Sequence, residues 1–360
     1  MRCANELFPA QPACTKDALP FPPSFARTVV VENKELTAVK LGRLSRAGRH
    51  IGGGSNIGRR RSCAEKRKMK YGEQIFEVFD AHFRPGQLPG PAGSGSVALM
   101  GDAPSLSEFL DVATAVARAG GEHTLQYFNR GAAVELKEDQ SPVTRADREA
   151  ELLIRELILQ KYPTHSILGE EHGSVDGDAD YQWVIDPIDG TKSFIHGVPL
   201  YTTLIGLQIK SRPSVGVIFA PALNEMVSAA IDETGAGSCY LNGQVCGVST
   251  VSEMSKALFL TSGTSDTDRR LRVLYDLASR CKYGRTWGDG YGYLMVATGR
   301  AEIMIDPKMN PWDVAALIPV IKAAGGICES WRGEETIHGG DLFACNAALA
   351  EQVREALREA

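Results

Sequence analysis

The stretch Trp183-Val184-Ile185-Asp186-Pro187-Ile188-Asp189-Gly190-Thr191 limits the possible folds of this chain more than any other. An apolar strand delivers two carboxylates at its end, three positions apart. Pro187 lies between them, removes a backbone donor and fixes φ, so the bend is stiff. Gly190 lets the chain turn tightly. Carboxylates held this close repel one another unless a cation sits between them, and hard divalent cations favour paired carboxylates together with a backbone carbonyl. If a helix starts at Thr191, the N–H groups of Gly190 and Thr191 face outward as an anion site. Taken alone, the Asp-x-x-Asp spacing is commonplace and reads more simply as a capped turn with Asp189 as N-cap.

The sequence before residue 100 is of a different kind. It holds Pro20, Pro22 and Pro23, the Gly52–Gly54 run, the basic clusters Arg59-Arg60-Arg61 and Lys66-Arg67-Lys68, and a Gly/Pro/Ser stretch over 85–96. Apart from a weak period around Gln74–Phe83 it lacks helical or strand periodicity, so 1–99 is expected to be a disordered basic extension. Residues 1–99 carry 16 basic and 8 acidic side chains, whereas 100–360 carry 23 and 36. The basic clusters would suit nucleic-acid contact or organelle targeting, and the simpler reading is a solvated tail or an over-extended translation start, with Met69 and Met100 as internal starts. The acidic remainder argues against nucleic acid as a partner, because phosphate backbones require a basic surface. No apolar run approaches the ~20 residues that span a bilayer, so no membrane partner is expected. The eight cysteines include no C-x-x-C pair, which reads as free thiols in a reducing compartment, the cytoplasm by default.

Order is expected from residue 100 onward. Ser105 and Glu108 read as a capping box before a helical period through Gly120, and a second helix follows Thr144 with Ala146, Ala150, Ile154 and Leu157 on one face. Strand-like runs then dominate over 183–185, 201–209, 215–219, 227–231 and 257–261. Helical stretches return near 269–279, 290–297 and 312–324. A last strand at 342–344 leads through Asn346, an N-cap, into a closing helix. Helices, a strand-rich middle and then alternating α and β predict layered sheets between helices, as one catalytic domain over 100–360 with two subdomains that meet near 240–255.

Two further acidic segments give the Asp-x-x-Asp turn its context. Gly169-Glu170-Glu171 follows the apolar Ile167-Leu168, and Asp313 falls in the first turn of a helix beginning at Pro311-Trp312, where the helix dipole favours a carboxylate. Each alone reads as a solvated pair or a cap. Together, the Gly-Glu-Glu, Asp-Pro-Ile-Asp-Gly-Thr and Trp-Asp segments, the last with Ala323-Ala324-Gly325-Gly326 downstream, resemble the signature of the inositol monophosphatase family from about Ser105 to the end. The resemblance implies an αβαβα sandwich and a phosphatase using two to three Mg²⁺ ions. One ion would be held by Glu170, Asp186 and the Ile188 carbonyl, a second by Asp186, Asp189 and Asp313, and a third, weaker one beside Glu170. Val143-Thr144-Arg145-Ala146-Asp147 is similar to the family's V-T-x-A-D, so Asp147 is expected to orient the Thr191 hydroxyl. That pair and one ion would activate the attacking water, while the other ion would stabilise the leaving alkoxide. Asp189, Gly190 and Thr191 would cradle the phosphate, and Lys137 matches a lysine of the family's mobile loop. His172 and His196 read as structural, and the cysteines as core thiols.

Within the family, Lys192-Ser193-Phe194-Ile195, Tyr201-Thr202-Thr203, Ala315-Ala316-Leu317-Ile318-Pro319 and above all Trp287-Gly288-Asp289-Gly290-Tyr291-Gly292-Tyr293 resemble the histidinol-phosphatase branch. The implied substrate is histidinol phosphate, a small phosphate monoester whose ammonium and imidazole would find carboxylate partners in Asp289 and Asp306. A charged hydrogen bond of that kind is worth ~1.5–3 kcal/mol. The simpler reading of Asp289 is a helix N-cap. Inositol phosphate and 3′-phosphoadenosine 5′-phosphate are the competing substrates, and a catalytically silent binding or regulatory member is the reading from another class. A homodimer stays open. Because the extension contributes so little apolar periodicity, a chain beginning at Met100 should fold and turn over substrate as the full chain does; an insoluble or inactive product would show that 1–99 contains a structural element.

Overall fold

A computed structural model describes residues 104–131, 134–137, 141–263 and 268–358. The basic extension 1–99, with its weak period at 74–83, lies outside the described residues. The first helix, α1 (Leu106–Thr124), is capped by Ser105, whose hydroxyl accepts from the Glu108 N–H at 3.2 Å. A short hairpin, β1 (Val134–Leu136) and β2 (Pro142–Thr144), runs into α2 (Arg145–Lys161). Here the capping box is complete: the Thr144 hydroxyl and the Asp147 carboxylate satisfy donors at the start of the helix.

β3 (His165–Gly169), β4 (Gly173–Val175) and β5 (Asp178–Asp189) follow, and the one-turn helix α3 (Thr191–Ile195) closes the Asp-x-x-Asp turn. β6 (Thr202–Ile209), β7 (Arg212–Ala220), β8 (Glu225–Ile231), β9 (Gly237–Leu241) and β10 (Gln244–Cys246) then meander. Together they form an eight-stranded sheet ordered β10-β9-β8-β7-β6-β5-β3-β4, antiparallel except where β3 runs parallel to β5. The chain passes to a second sheet between Cys246 and Leu258. That sheet contains β11 (Leu258–Leu260), β12 (Tyr283–Arg285), β13 (Ile303–Asp306), β14 (Gly326–Glu329) and β15 (Leu342–Asn346), in the order β12-β11-β13-β15-β14. The interleaved helices are α4 (Asp268–Arg280), α5 (Gly290–Ala297), α6 (Pro311–Val314), α7 (Leu317–Ala323) and α8 (Ala350–Leu357).

The layers follow from which side chains each face buries. Alternation along a strand sends Trp183 and Ile185 to one face of the large sheet, where they meet Phe109, Val116, Ile154 and Ile158 of α1 and α2. Val184, Leu204 and Ile218 point the other way, onto α5 and α7 and the inner face of the small sheet at Leu260, Met304 and Ala344. Phe259, Ile303, Ile305 and Phe343 cover the outer face of the small sheet with α4 and α8. The result is the expected αβαβα sandwich. Asn346 ends β15 and caps a 3₁₀ turn, its side chain accepting from the Leu349 N–H, before α8 begins.

Two details differ from the periodicity and place functional residues. The predicted helix over 312–324 is two pieces, broken at Ala315–Ala316. Pro319 has no N–H to return to the Ala315 carbonyl, so one continuous helix is not available there. The break leaves Asp313 on its own single turn. The start of α7 also packs unusually close to the large sheet: a Cβ on Gly206 would lie 2.8 Å from the Ala315 backbone carbon, and one on Gly216 would overlap the Ala316 carbonyl. These two glycines are cross-strand partners on β6 and β7, and they form the floor on which the Asp313 helix rests. Gly216→Ala should therefore destabilise the protein by about 2–3 kcal/mol, the upper range for overpacking against backbone, read as a lower urea midpoint with unchanged m-value.

Candidate active site

The carboxylates converge from two distant segments. Asp186 and Asp189 arrive at the end of β5, where the register with β6 slips between them, and Asp313 arrives on α6. Ligand oxygens of Asp186, Asp189 and Asp313 lie within 4.8 Å of one another. Side-chain bonds to backbone hold the turn: the Asp186 carboxylate accepts from the Ile188 N–H at 3.0 Å, and the Pro187 carbonyl accepts from Thr203 Oγ1 at 2.8 Å. Gly190 takes φ +84°, where a side chain would be strained, and starts α3. Asp189 accepts from Thr202 Oγ1 at 3.0 Å and from the Gly290 N–H at the head of α5. Asp313 spends one oxygen on Asn310, accepting from its N–H at 2.7 Å and its side-chain amide at 3.1 Å. Capping and a free oxygen thus coexist on one residue.

Such crowding is costly for charge. Burial pushes the Asp186 carboxyl well above its ordinary range, with repulsion from Glu170, Asp189 and Asp313 adding to it. Asp189 is raised by burial and then by Asp289 and Asp313. Asp313 is pushed up to about 7, again chiefly by burial. Three hard oxygen donors that repel one another and are screened from water fit a divalent cation of the Mg²⁺ type. The Ile188 carbonyl accepts the Thr191 hydroxyl at 3.1 Å.

Glu170 and Glu171 occupy the turn after β3. Lys137 reaches both, at 2.7 Å each. Burial would lower the Lys137 pKa, and the bonds to Glu170 and Glu171 outweigh that and raise it. Burial lifts Glu171 to about 7 against the opposing pull of Lys137. Sequence reading missed the residue that shapes this turn. Glu151, fully buried on α2, accepts from the N–H groups of Glu171 at 2.7 Å and His172 at 3.1 Å, and pairs with Arg155 at 2.7 Å. A Cβ on Gly169 would collide with that carboxylate. The available signal was a Glu/Arg pair at i,i+4 on the apolar face of α2, where such charges must have partners. His172 bonds the Arg148 carbonyl and His196 that of Lys192, both local structural contacts.

Asp147 is buried and, as the third residue of α2, accepts from the Thr144 N–H at 2.8 Å and the Thr144 hydroxyl at 2.5 Å, both on Oδ2. Its Oδ1 is buried without a partner, and burial lifts the group to about 6. The expected Thr191–Asp147 hydrogen bond is not made in this structure, since Thr191 bonds Ile188 instead.

Asp289 lies on the other side of the turn. It precedes α5 with φ +54° but makes no side-chain cap, so the plain N-cap reading does not hold. Its Oδ2 would come within 2.7 Å of a Cβ on Gly190. Burial pushes it to about 6, with Asp306 adding and Lys192 opposing. Asp306 stands one layer back. It is buried, accepting from the Ser262 N–H at 2.7 Å, the Ser262 hydroxyl at 2.8 Å and Tyr293 at 3.2 Å. Its carboxylate is occupied by protein donors, and it reaches Asp289 through Ser262, whose hydroxyl accepts from the Asp289 N–H at 2.7 Å. Ser262 carried no motif that could have marked it.

A layered αβαβα sandwich thus carries, at a strand-to-helix turn, an acidic cluster that could hold a divalent cation. The inositol monophosphatase family matches residues 105–360, and the chain belongs to that family. It is 40% identical over 258 residues to a histidinol-phosphatase from Chlorobaculum parvum, covering 69% of this chain and 96% of that one. It is 35% identical over 259 residues to a histidinol-phosphatase from Streptomyces coelicolor, covering 69% and 97%. The structure of an inositol monophosphatase from Anabaena superposes with TM-score 0.61 at 29% identity, covering 71% and 96%. The protein is a phosphoric monoester hydrolase, and no helix among the described residues is long and apolar enough to cross a membrane.

The raised carboxyls predict how stability and cation binding respond to pH. Groups such as Asp313, at about 7 when folded, bind protons more tightly in the folded than in the unfolded chain. Metal-free stability should therefore be greatest near pH 4 as far as these groups decide it, and fall as pH rises through 7. A divalent cation must displace those protons, so its apparent affinity should weaken about tenfold per pH unit below 7 for each proton released. Urea unfolding in EDTA and in excess MgCl₂, at pH 6 and 8, checks both slopes.

Proposed function

We propose that the protein hydrolyses histidinol phosphate to histidinol and phosphate with Mg²⁺ as its cation. The observation that carries the substrate is the Asp289 carboxylate, set against Gly190 and Asp189 and free of any side-chain cap. An anion held beside a phosphate cradle disfavours an all-anionic substrate and suits one with a cationic tail. Lys192 partly offsets that charge, and Ser262, held by Asp306, fixes the backbone of Asp289. The histidinol-phosphatase relatives support the same choice.

Glu170, Asp186, Asp189, Asp313 and the Ile188 carbonyl would hold the cations. When bound, these would neutralise charge on the phosphoryl oxygens and lower the pKa of a ligating water. The chain's own groups do the rest. The N–H groups of Gly190 and Thr191 bind phosphate oxygens. For Thr191 Oγ1 to take the water's proton, its hydroxyl would turn from the Ile188 carbonyl to Asp147 Oδ1, a buried acceptor with no donor in this structure. With its pKa at about 6, Asp147 is ionised at neutral pH and close enough to it to serve as a base. Lys137 screens Glu170 and Glu171, and so limits the negative charge beside the cluster.

Asp289→Asn should raise KM for histidinol phosphate about tenfold or more, with little effect on glycerol 2-phosphate at saturating Mg²⁺. Equal losses on both esters would make Asp289 structural. A wild-type preference for inositol phosphate or 3′-phosphoadenosine 5′-phosphate would remove the histidinol reading and leave the family assignment standing.

A further inference from the structure

The large sheet ends in a hairpin whose two strands carry one cysteine each. Cys239 on β9 and Cys246 on β10 are register partners, and their sulfurs are 3.5 Å apart. The pairing is dictated locally: Asn242 and Gly243 both take positive φ, the two-residue turn that fixes hairpin register. Counting outward from Leu241 and Gln244, Cys239 and Cys246 fall on a hydrogen-bonded pair, for which Cα atoms stand about 5.5 Å apart, within the range a disulfide bridges.

The two thiols are unequal. Cys239 is buried, whereas Cys246 is half-buried at the sheet edge. The contact with Cys246 and burial both push the Cys239 thiol up. The Cys246 thiol is shifted the other way, downward, by its contact with Cys239, and Arg300 adds to the effect. The other described cysteines are pushed the opposite way by burial, Cys281 to about 11 and Cys345 to about 12, with Cys328 also raised.

We propose that Cys239 and Cys246 form a reversible thiol–disulfide modification site, with Cys246 as the attacking and Cys239 as the resolving sulfur. The oxidant is a small or protein disulfide. The Cys246 thiolate attacks one sulfur of that disulfide and expels the other as a thiolate, leaving a mixed disulfide. Cys239 then gives up its proton and attacks the Cys246 sulfur, expelling the second thiolate. Two protein thiols are oxidised by two electrons, and one disulfide is reduced to two thiols. The bond would pin the free edge of the large sheet immediately before the chain crosses to the small one.

The test uses the full chain, folded, with excess oxidised glutathione, followed by blocking of free thiols and peptide mapping. The expected product links the Cys239 and Cys246 peptides, has lost two hydrogens, and reverts with dithiothreitol. Cys239→Ser should stop at a glutathione adduct on Cys246, and Cys246→Ser should leave Cys239 unmodified. An alkylating reagent should label Cys246 about tenfold or more faster than Cys239. The proposal is overturned if the unmodified chain accumulates the Cys246 adduct without closure. It is equally overturned if the bridge forms only in urea, or if neither cysteine reacts while the unfolded chain reacts fully.

Discussion

Everything at this protein's centre depends on the mutual repulsion of carboxylates that the fold forces together. Asp186, Asp189 and Asp313 would each be more stable apart and in water, yet packing holds ligand oxygens from all three within 4.8 Å. Two devices make this possible. Side-chain bonds to backbone lock the Asp-Pro-Ile-Asp turn, and a helix start laid directly on two glycines brings Asp313 across from another part of the chain. A divalent cation bound there would offset that crowding, so metal affinity and metal-free stability would be opposite sides of one arrangement.

The surrounding charges are graded. Glu170 and Glu171 are tied to Lys137 on one side, while Asp289 and Asp306 face Lys192 and Ser262 on the other. Buried carboxylates with protein partners, such as Glu151 and Asp306, shape loops. Those with an unpaired oxygen, such as Asp147, remain available for chemistry.

Capping and ligation were competing readings of the same residues, and the geometry resolves them residue by residue. Asp313 caps with one oxygen and keeps the other for the acidic cluster, because a carboxylate has two. Asp147 likewise caps through Oδ2 and leaves Oδ1 free. Asp289 caps nothing, and its positive φ turns the carboxylate back toward Gly190. Residue type and spacing could not separate these cases.

By itself the sequence determined the sandwich class, the main helices and central strands, and the short acidic motifs that carry Glu170, Asp186, Asp189 and Asp313, since periodicity and short motifs are local properties that survive without coordinates. It was silent where the information is non-local. The Pro319 break, the close fit of Gly206 and Gly216 under Ala315–Ala316, and Glu151 under the Gly169 turn all depend on residues far apart in the chain. So do the passage from Asp306 through Ser262 to Asp289 and the hydrogen-bond choice of Thr191. Short strands such as β1, β4 and β12, exposed along their length, carried no alternation to detect, because only a buried face writes a period into the sequence. Tertiary packing decided which oxygen of each carboxylate is spent on the scaffold and which is left to act.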